Sequence, residues 1–89
     1  MTQHDETMRA ILRRLCFCPT AFRPEHIVRR HSGASALPRP EWRGRPISSE
    51  GATRRLRAAG YAEPCGLMRG YWRLTPSGMA AVERERNNG

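Results

Sequence analysis

The stretch that decides the fold is SSEGATRRLRAAGYAEPCGLMRGYWRLTPSG, residues 48–78. Serine is a favoured cap at the start of a helix, and Ser48 and Ser49 both stand at such a position. Gly60 suits the left-handed residue that commonly follows a helix. These signals predict a helix over residues 50–59, capped by one of the two serines.

Two strands and a turn are predicted directly after this helix. The strands cover residues 61–65 and 71–74, and the glycines that flank the intervening GLMRG, residues 66–70, permit a tight or bulged turn. The second strand alternates in polarity, which is typical of a strand with one buried face. Trp72 and Leu74 are therefore expected to lie in the core.

A final helix is predicted from the TPSG motif onward. Thr75 suits the cap, and Pro76 suits the first turn, where its missing N–H would have no helical partner. The helix is only weakly apolar, so we expect it to be short and to fray into a polar tail at residues 84–89.

Two further helices are predicted ahead of the opening stretch. The first covers residues 5–17, with Thr2 or Asp5 as its cap, and the second runs from Pro24 to Gly33. Four apolar residues share one face of the first helix: Met8, Ile11, Leu12 and Leu15. Three arginines point away from that face: Arg9, Arg13 and Arg14.

The segment GASALPRPEWRGRPI, residues 33–47, is predicted to be a long loop, and such loops are often functional. A short strand is expected at residues 45–47, restricted to a sheet edge by Pro46. Trp42 stands in this loop among arginines, and two interpretations are open for it. It either folds back to seal the core or anchors a nucleic acid or protein partner.

The series formed by RRLRAAGY, a hairpin and YWRLTPSG resembles the second half of a winged helix-turn-helix DNA-binding domain. The resemblance covers residues 48–82 well and the first two helices in outline. It implies an α+β fold with a three-helix core, a C-terminal two-stranded wing and a short final helix, all in one domain over residues 1–89. The turn before the third helix is normally a few residues but is about fifteen here, which points to a divergent, phage-type branch.

Rotating the third helix by about 100° per residue separates its small apolar residues from its arginines. The expected buried stripe is Ala52, Leu56 and Ala59. The opposite face holds Glu50, Arg54 and Arg57, and the flanks hold Ser49, Thr53 and Arg55. This arrangement suits a helix in the major groove, where arginine forks bind guanine, and all six polar residues are candidate DNA contacts. The alternative is a solvated face of an arginine-rich protein.

The turn at residues 66–70 corresponds to the wing in this resemblance. Arg69 is its candidate contact with the adjacent minor groove or backbone, and Arg43 and Arg45 of the long loop are further candidate DNA contacts. Leu67 and Met68 are apolar, so contact with a protein partner is an alternative role for the wing.

The charge balance favours a polyanionic partner. The formal net charge is +8, and all sixteen basic residues are arginine, a pattern that both a coding bias and phosphate binding would produce. An odd count of three cysteines suits a reducing compartment, and the sequence lacks an apolar run long enough to span a membrane. We therefore expect a cytoplasmic protein without a membrane partner.

Enzymatic and metal-binding motifs are weak. Cys16, Cys18, His26 and His31 have poor spacing for zinc, and the sequence contains no phosphate-cradling glycine loop or paired-carboxylate motif. We expect no enzymatic activity, cofactor or metal. The expected partner is double-stranded DNA, with a homodimer and a protein partner as further candidates. The expected function is that of a small transcriptional regulator or an accessory factor of a phage or mobile element; the alternative is a winged-helix protein-interaction adaptor.

Overall fold

The structure is a computed structural model that describes residues 4–17, 20–29 and 37–88. Helices in this part of the chain are α1 (Glu6–Leu15), α2 (Glu25–Val28), α3 (Ser49–Ala58) and α4 (Pro76–Asn88). The strands are β1 (Ala21–Phe22), β2 (Glu41–Trp42), β3 (Arg45–Pro46), β4 (Ala62–Pro64) and β5 (Trp72–Leu74). The predicted α+β class is confirmed.

Helix α1 begins where its predicted cap stands. A side-chain oxygen of Asp5 accepts a hydrogen bond from the Met8 backbone N–H at 2.8 Å, which satisfies one of the donors that the first turn leaves without a helical partner. The alternative cap, Thr2, lies outside the described residues. The predicted apolar face of α1 is buried through Ile11, Leu12 and Leu15.

Arg14 does not point away from the core as expected but is buried. Its guanidinium donates to three backbone carbonyls, from Nη1 to Arg29, from Nη2 to Leu37 at 2.7 Å and from Nε to Pro38 at 3.2 Å. Burial first, and then the like charge of Arg39, lowers the pKa of Arg14. The side chain thereby joins α1 to the end of α2 and to the segment ahead of β2.

Helix α2 is shorter than predicted. It ends at Val28, and Arg29 adopts an extended conformation with φ −62° and ψ 139°. The predicted end at Gly33 was therefore wrong, although Gly33 itself lies outside the described residues. The Arg29 carbonyl accepts its hydrogen bond from Arg14, so a side-chain donor replaces the helical N–H that this carbonyl would otherwise need.

The main sheet is antiparallel, with the strand order β1, β5, β4. Phe22 pairs with Trp72 on one side of β5, and Ala62 pairs with Leu74 on the other. The two C-terminal strands correspond to the predicted hairpin, whereas β1 was not predicted. The core lies between this sheet and the helices. Its buried apolar residues are Ile11, Leu12, Leu15, Phe22, Ile27, Ala52, Leu56, Ala62, Leu74, Ala81 and Val82.

Two residues of the predicted core take the expected position and one does not. Leu74 is buried, and Trp72 is half-buried against the core. Ala59 is exposed, so its expected place in the buried stripe of the third helix was wrong. Helix α3 ends at Ala58, and the chain turns away through Gly60 at φ 78°, which removes Ala59 from the helical face.

The TPSG motif packs the start of α4 against the preceding strand. Thr75 Oγ1 accepts from the Gly78 N–H at 3.1 Å and donates to the Gly60 carbonyl at 2.6 Å. The Thr75 N–H donates to the Tyr61 carbonyl at 2.9 Å. A Cβ atom at position 78 would collide with that same carbonyl oxygen and lie 2.8 Å from its carbon, so the close contact requires glycine.

Helix α4 is longer than expected, with 13 residues that continue through Asn88. Over residues 84–88 the structure thus differs from the frayed polar tail predicted at residues 84–89, and Gly89 lies outside the described residues. Glu85 is only 4% exposed on the face of α4 that packs against α1. Its carboxylate accepts from Arg9 Nε at 3.2 Å and Arg13 Nε at 3.0 Å. These ion pairs fasten the last turns of α4, because a buried carboxylate needs paired donors.

Part of the predicted long loop forms a second hairpin, β2–β3, which includes the predicted edge strand as Arg45–Pro46. Its two-residue turn has positive φ at Arg43 (54°) and Gly44 (80°), a combination that matches the right-handed twist of paired strands. The Thr7 hydroxyl donates to the Glu41 carbonyl at 2.5 Å and attaches the hairpin to α1. Residues 33–36 of the predicted loop lie outside the described residues.

Candidate nucleic-acid interface

Helix α3 is capped at its first turn by Ser48 rather than Ser49. The Ser48 hydroxyl oxygen accepts a hydrogen bond from the Gly51 N–H at 3.0 Å. Ala52 and Leu56 are fully buried and fix which face of the helix is turned to the core. The orientation of every other side chain on α3 follows from these contacts.

The outward face of α3 carries Glu50, Arg54 and Arg57, all exposed, as the helical rotation predicted. Ion pairs elsewhere in the described residues join Glu85 to Arg9 and Arg13, Glu6 to Arg9, and Glu63 to Arg73. Within the described part of the chain, no carboxylate lies within 4.0 Å of the Arg54 or Arg57 guanidinium. The face therefore presents two guanidinium groups that form no ion pair with the described residues.

One of the predicted contacts on the flanks of α3, Thr53, is buried. Thr53 is only 6% exposed, and its hydroxyl is directed at the carbonyl oxygens of Ser49 and Glu50, 3.1 Å from each. Ser49 is half-buried. The rotation placed Thr53 on a flank, but the packing of the domain covers that flank, so Thr53 serves the helix rather than a ligand.

Trp42 contacts the other flank of α3. The Cζ atom of Arg55 lies 4.6 Å from the centre of the Trp42 ring, and the Cζ atom of Arg43 lies 5.4 Å from it. Trp42 is 44% exposed, so it does not seal the core, which was one of its two interpretations. Both distances are within the range of cation–π attraction. The contact between Trp42 and Arg55 thus joins the hairpin β2–β3 to α3, and Arg43 and Arg45 lie exposed in the same hairpin.

The predicted wing is an exposed turn between β4 and β5. Its backbone is closed by the Cys65 N–H to the Tyr71 carbonyl at 2.8 Å and by the Tyr71 N–H to the Met68 carbonyl at 3.1 Å. Arg69 is exposed, and Leu67 is 94% exposed. The turn presents a cation and an apolar side chain together, which fits either of the two partners proposed for it.

Arg23 is a candidate contact that the sequence did not indicate. Its Cζ atom lies 5.4 Å from the centre of the Tyr71 ring, at the base of the turn between β4 and β5. The side chain is exposed and directly follows β1. Its position depends on the pairing of β1 with β5, a contact between distant parts of the chain that local sequence patterns do not reveal.

Only part of the weak zinc pattern lies within the described residues. Cys18 and His31 lie outside the described residues. The Cys16 sulfur lies 3.4 Å from the Leu12 carbonyl oxygen and 3.6 Å from that of Val82, at the contact of α1 with α4. The thiol is packed between two helices, where it fills space and donates weakly to backbone oxygens.

Comparisons with protein-family models, curated proteins and solved structures gave no match for this chain. None of the helices in the described residues has the length and apolar character needed to cross a membrane. The proposed function therefore rests on the geometry of the basic surface and on the sequence pattern described above.

Proposed function

We propose that this chain binds double-stranded DNA as a small winged helix-turn-helix protein, with α3 in the major groove and the wing at residues 66–70 beside it. The observation that carries the proposal is the outward face of α3, where Arg54 and Arg57 are exposed without a carboxylate partner in the described structure. Guanidinium groups in this state bind phosphate oxygens and the O6 and N7 atoms of guanine through paired N–H donors.

The dimensions of α3 support its place in the groove. Its 10 residues span roughly 15 Å, and an α-helix fits the major groove, which is roughly 12 Å wide. The β4–β5 hairpin follows α3 after a turn at Gly60, as the wing follows the third helix in the family that the sequence resembles. The buried Ala52 and Leu56 attach the opposite side of α3 to the core and leave the arginine face open.

The exposed charged residues of α3 and of the wing have separate roles in this proposal. Arg54 and Arg57 bind base edges and phosphates in the groove, and Arg69 binds the backbone or minor groove beside it. Glu50 accepts a hydrogen bond from a cytosine amino group, which discriminates among base pairs. The biological role that fits a single small module is that of a transcriptional regulator or of a phage or mobile-element accessory factor, and dimerisation would place two α3 helices on neighbouring half-sites.

Replacing Arg54 and Arg57 together with alanine is expected to weaken binding to duplex DNA at least about tenfold, because each good arginine contact contributes about 1–3 kcal/mol. The plot of log affinity against log salt concentration should also become less steep, by about one unit for each lost phosphate contact. Fluorescence anisotropy of a labelled duplex, measured over a series of salt concentrations, gives both quantities.

A double replacement of Arg84 and Arg86 with alanine is the matched control. Both are exposed on α4, the helix that packs against α1, and their loss changes the net charge by the same amount. Because Arg86 also donates to the Cys16 carbonyl at 3.1 Å, thermal unfolding is used to check that both double variants are folded. If the two double variants weaken binding equally, the interaction depends on net charge alone and the assignment of α3 is wrong.

Leu67 favours a second candidate function, an adaptor that binds another protein through the wing. An apolar side chain that is 94% exposed loses contact with water when a partner covers it. Size-exclusion chromatography of the chain with nuclease-treated host lysate discriminates between the two functions. A partner that stays bound without nucleic acid, and is lost on Leu67→Ser substitution, supports the adaptor, whereas elution of the chain alone supports the DNA-binding proposal.

A further inference from the structure

We propose that Trp42 is a positioning residue that holds Arg43 and Arg55 as a phosphate clamp at one edge of the α3 surface. This inference rests on the proposed binding of double-stranded DNA and adds the hairpin β2–β3 to the interface. Arg55 lies on the flank of α3, and Arg43 lies at the hairpin turn. Both guanidinium groups lie against the Trp42 ring, at 4.6 Å and 5.4 Å from its centre.

The ring is held firmly enough to position the two arginines. Glu41 and Trp42 pair with Pro46 and Arg45 across the hairpin. The Ile47 N–H donates to the Pro40 carbonyl at 3.1 Å and closes the base of the hairpin just ahead of α3. The hydrogen bond from Thr7 to the Glu41 carbonyl fastens the same strand to α1. The hairpin therefore holds Trp42 in place relative to both helices.

Contact with an aromatic ring leaves a guanidinium group able to bind an anion. Cation–π attraction engages the face of the aromatic ring and uses no N–H donor of the arginine, so the fork remains available for phosphate oxygens. Within the described residues, no carboxylate lies within 4.0 Å of the Arg43 or Arg55 guanidinium, so none competes with phosphate for these N–H donors. Restricting the two side chains before binding lowers the entropy lost when they grip a ligand.

The backbone of Arg43 supports a role beyond hairpin formation. Its φ of 54° lies in the left-handed region, which favours asparagine or glycine over arginine in a two-residue turn. Unfavourable backbone conformations concentrate at binding sites, where the side chain has a function that offsets their cost. Here the conformation directs an arginine at the tip of the hairpin beside the Trp42 ring.

Phosphate is the ligand that fits the position of the clamp. Arg55 lies to the side of the face that carries Arg54 and Arg57, as does the hairpin that contacts it. With that face in the major groove, groups at its side meet the phosphate backbone that borders the groove. Trp42 already carries two arginines against its ring, so its role is to orient those cations.

The Trp42→Ala variant tests the clamp because it removes no charge. It is expected to weaken duplex binding about tenfold and to reduce the salt slope by about one to two units, since two phosphate contacts lose their orientation. Trp42→Phe retains an aromatic ring and should recover part of both losses. Met79→Ala, which truncates a similarly exposed apolar side chain on α4, should bind as the unmodified chain does.

Arg55→Lys provides a second test that leaves the hairpin sequence intact. Lysine keeps the charge but lacks the planar fork, so the variant should bind several-fold more weakly than the unmodified chain. Thermal unfolding of each variant shows whether it is folded, and Arg55→Lys decides the outcome if Trp42→Ala is not. Unchanged affinity and salt slope in the folded variants, together with weak binding by the Arg54 and Arg57 double variant, would overturn the clamp and leave the proposed function standing. If that double variant also binds normally, both proposals fail.

Discussion

Replacing Gly78 with alanine is expected to lower the free energy of unfolding by about 3 kcal/mol. The added Cβ atom would collide with the Tyr61 carbonyl oxygen, and both groups are fixed by the backbone, so neither can rotate away. Relief requires α4 to move from the sheet, which breaks the hydrogen bonds of Thr75 to Tyr61 and Gly60. Urea unfolding followed by circular dichroism gives the change.

Gly66→Ala is the control for this prediction. A Cβ atom added at position 66 would have no neighbouring atom within 4 Å, and the φ angle there lies outside the left-handed region. The substitution should change stability by less than about 1 kcal/mol. Equal stability of the two alanine variants would show that the close contact between α4 and Tyr61 is absent.

Replacing Arg14 with methionine is expected to lower the free energy of unfolding by about 3 kcal/mol or more. The guanidinium satisfies the carbonyls of Arg29, Leu37 and Pro38, and a buried acceptor that loses its donor costs about 1–3 kcal/mol. Methionine preserves most of the side-chain length, so the loss reports on the hydrogen bonds rather than on a cavity. Chemical unfolding measures it directly.

Arg84→Met is the matched control for Arg14→Met, because Arg84 is exposed on α4. It should change stability by no more than about 0.5 kcal/mol. A small effect at both positions would mean that Arg14 does not organise the segment ahead of β2.

The parts of the fold that could be predicted from the sequence are those fixed by local chemistry. The serine cap and the small residues of α3 determine its start and its buried face, and the TPSG motif determines the start of α4. Strand β1 could not be predicted, because two residues are too short to show a period and their partner, β5, lies about fifty residues away.

Buried charges are the second class of feature that local patterns do not reveal. Arg14 and Glu85 occupy positions that a polar sequence assigns to the surface, yet both are buried because their partners lie on other elements. The same reason explains why α4 is longer than predicted. Its last turns look polar in sequence, but Glu85 binds Arg9 and Arg13 of α1.

The candidate site likewise has features that could be predicted from the sequence and features that could not. The exposure of Arg54 and Arg57 follows from helical rotation alone and was predicted. The burial of Thr53 and the contact of Trp42 with Arg55 depend on which element covers each flank of α3. These contacts are tertiary, so the sequence alone could not decide between the two interpretations of Trp42.

Titration of the isotope-labelled chain with duplex DNA, followed by amide NMR, tests the central proposal most directly. Binding through α3 predicts that amide signals shift along Ser49–Ala58, in the β2–β3 hairpin and at residues 66–70, and that those of the last turns of α4 do not. Absence of any shift, or shifts concentrated on α4, would contradict the proposal that this surface binds DNA.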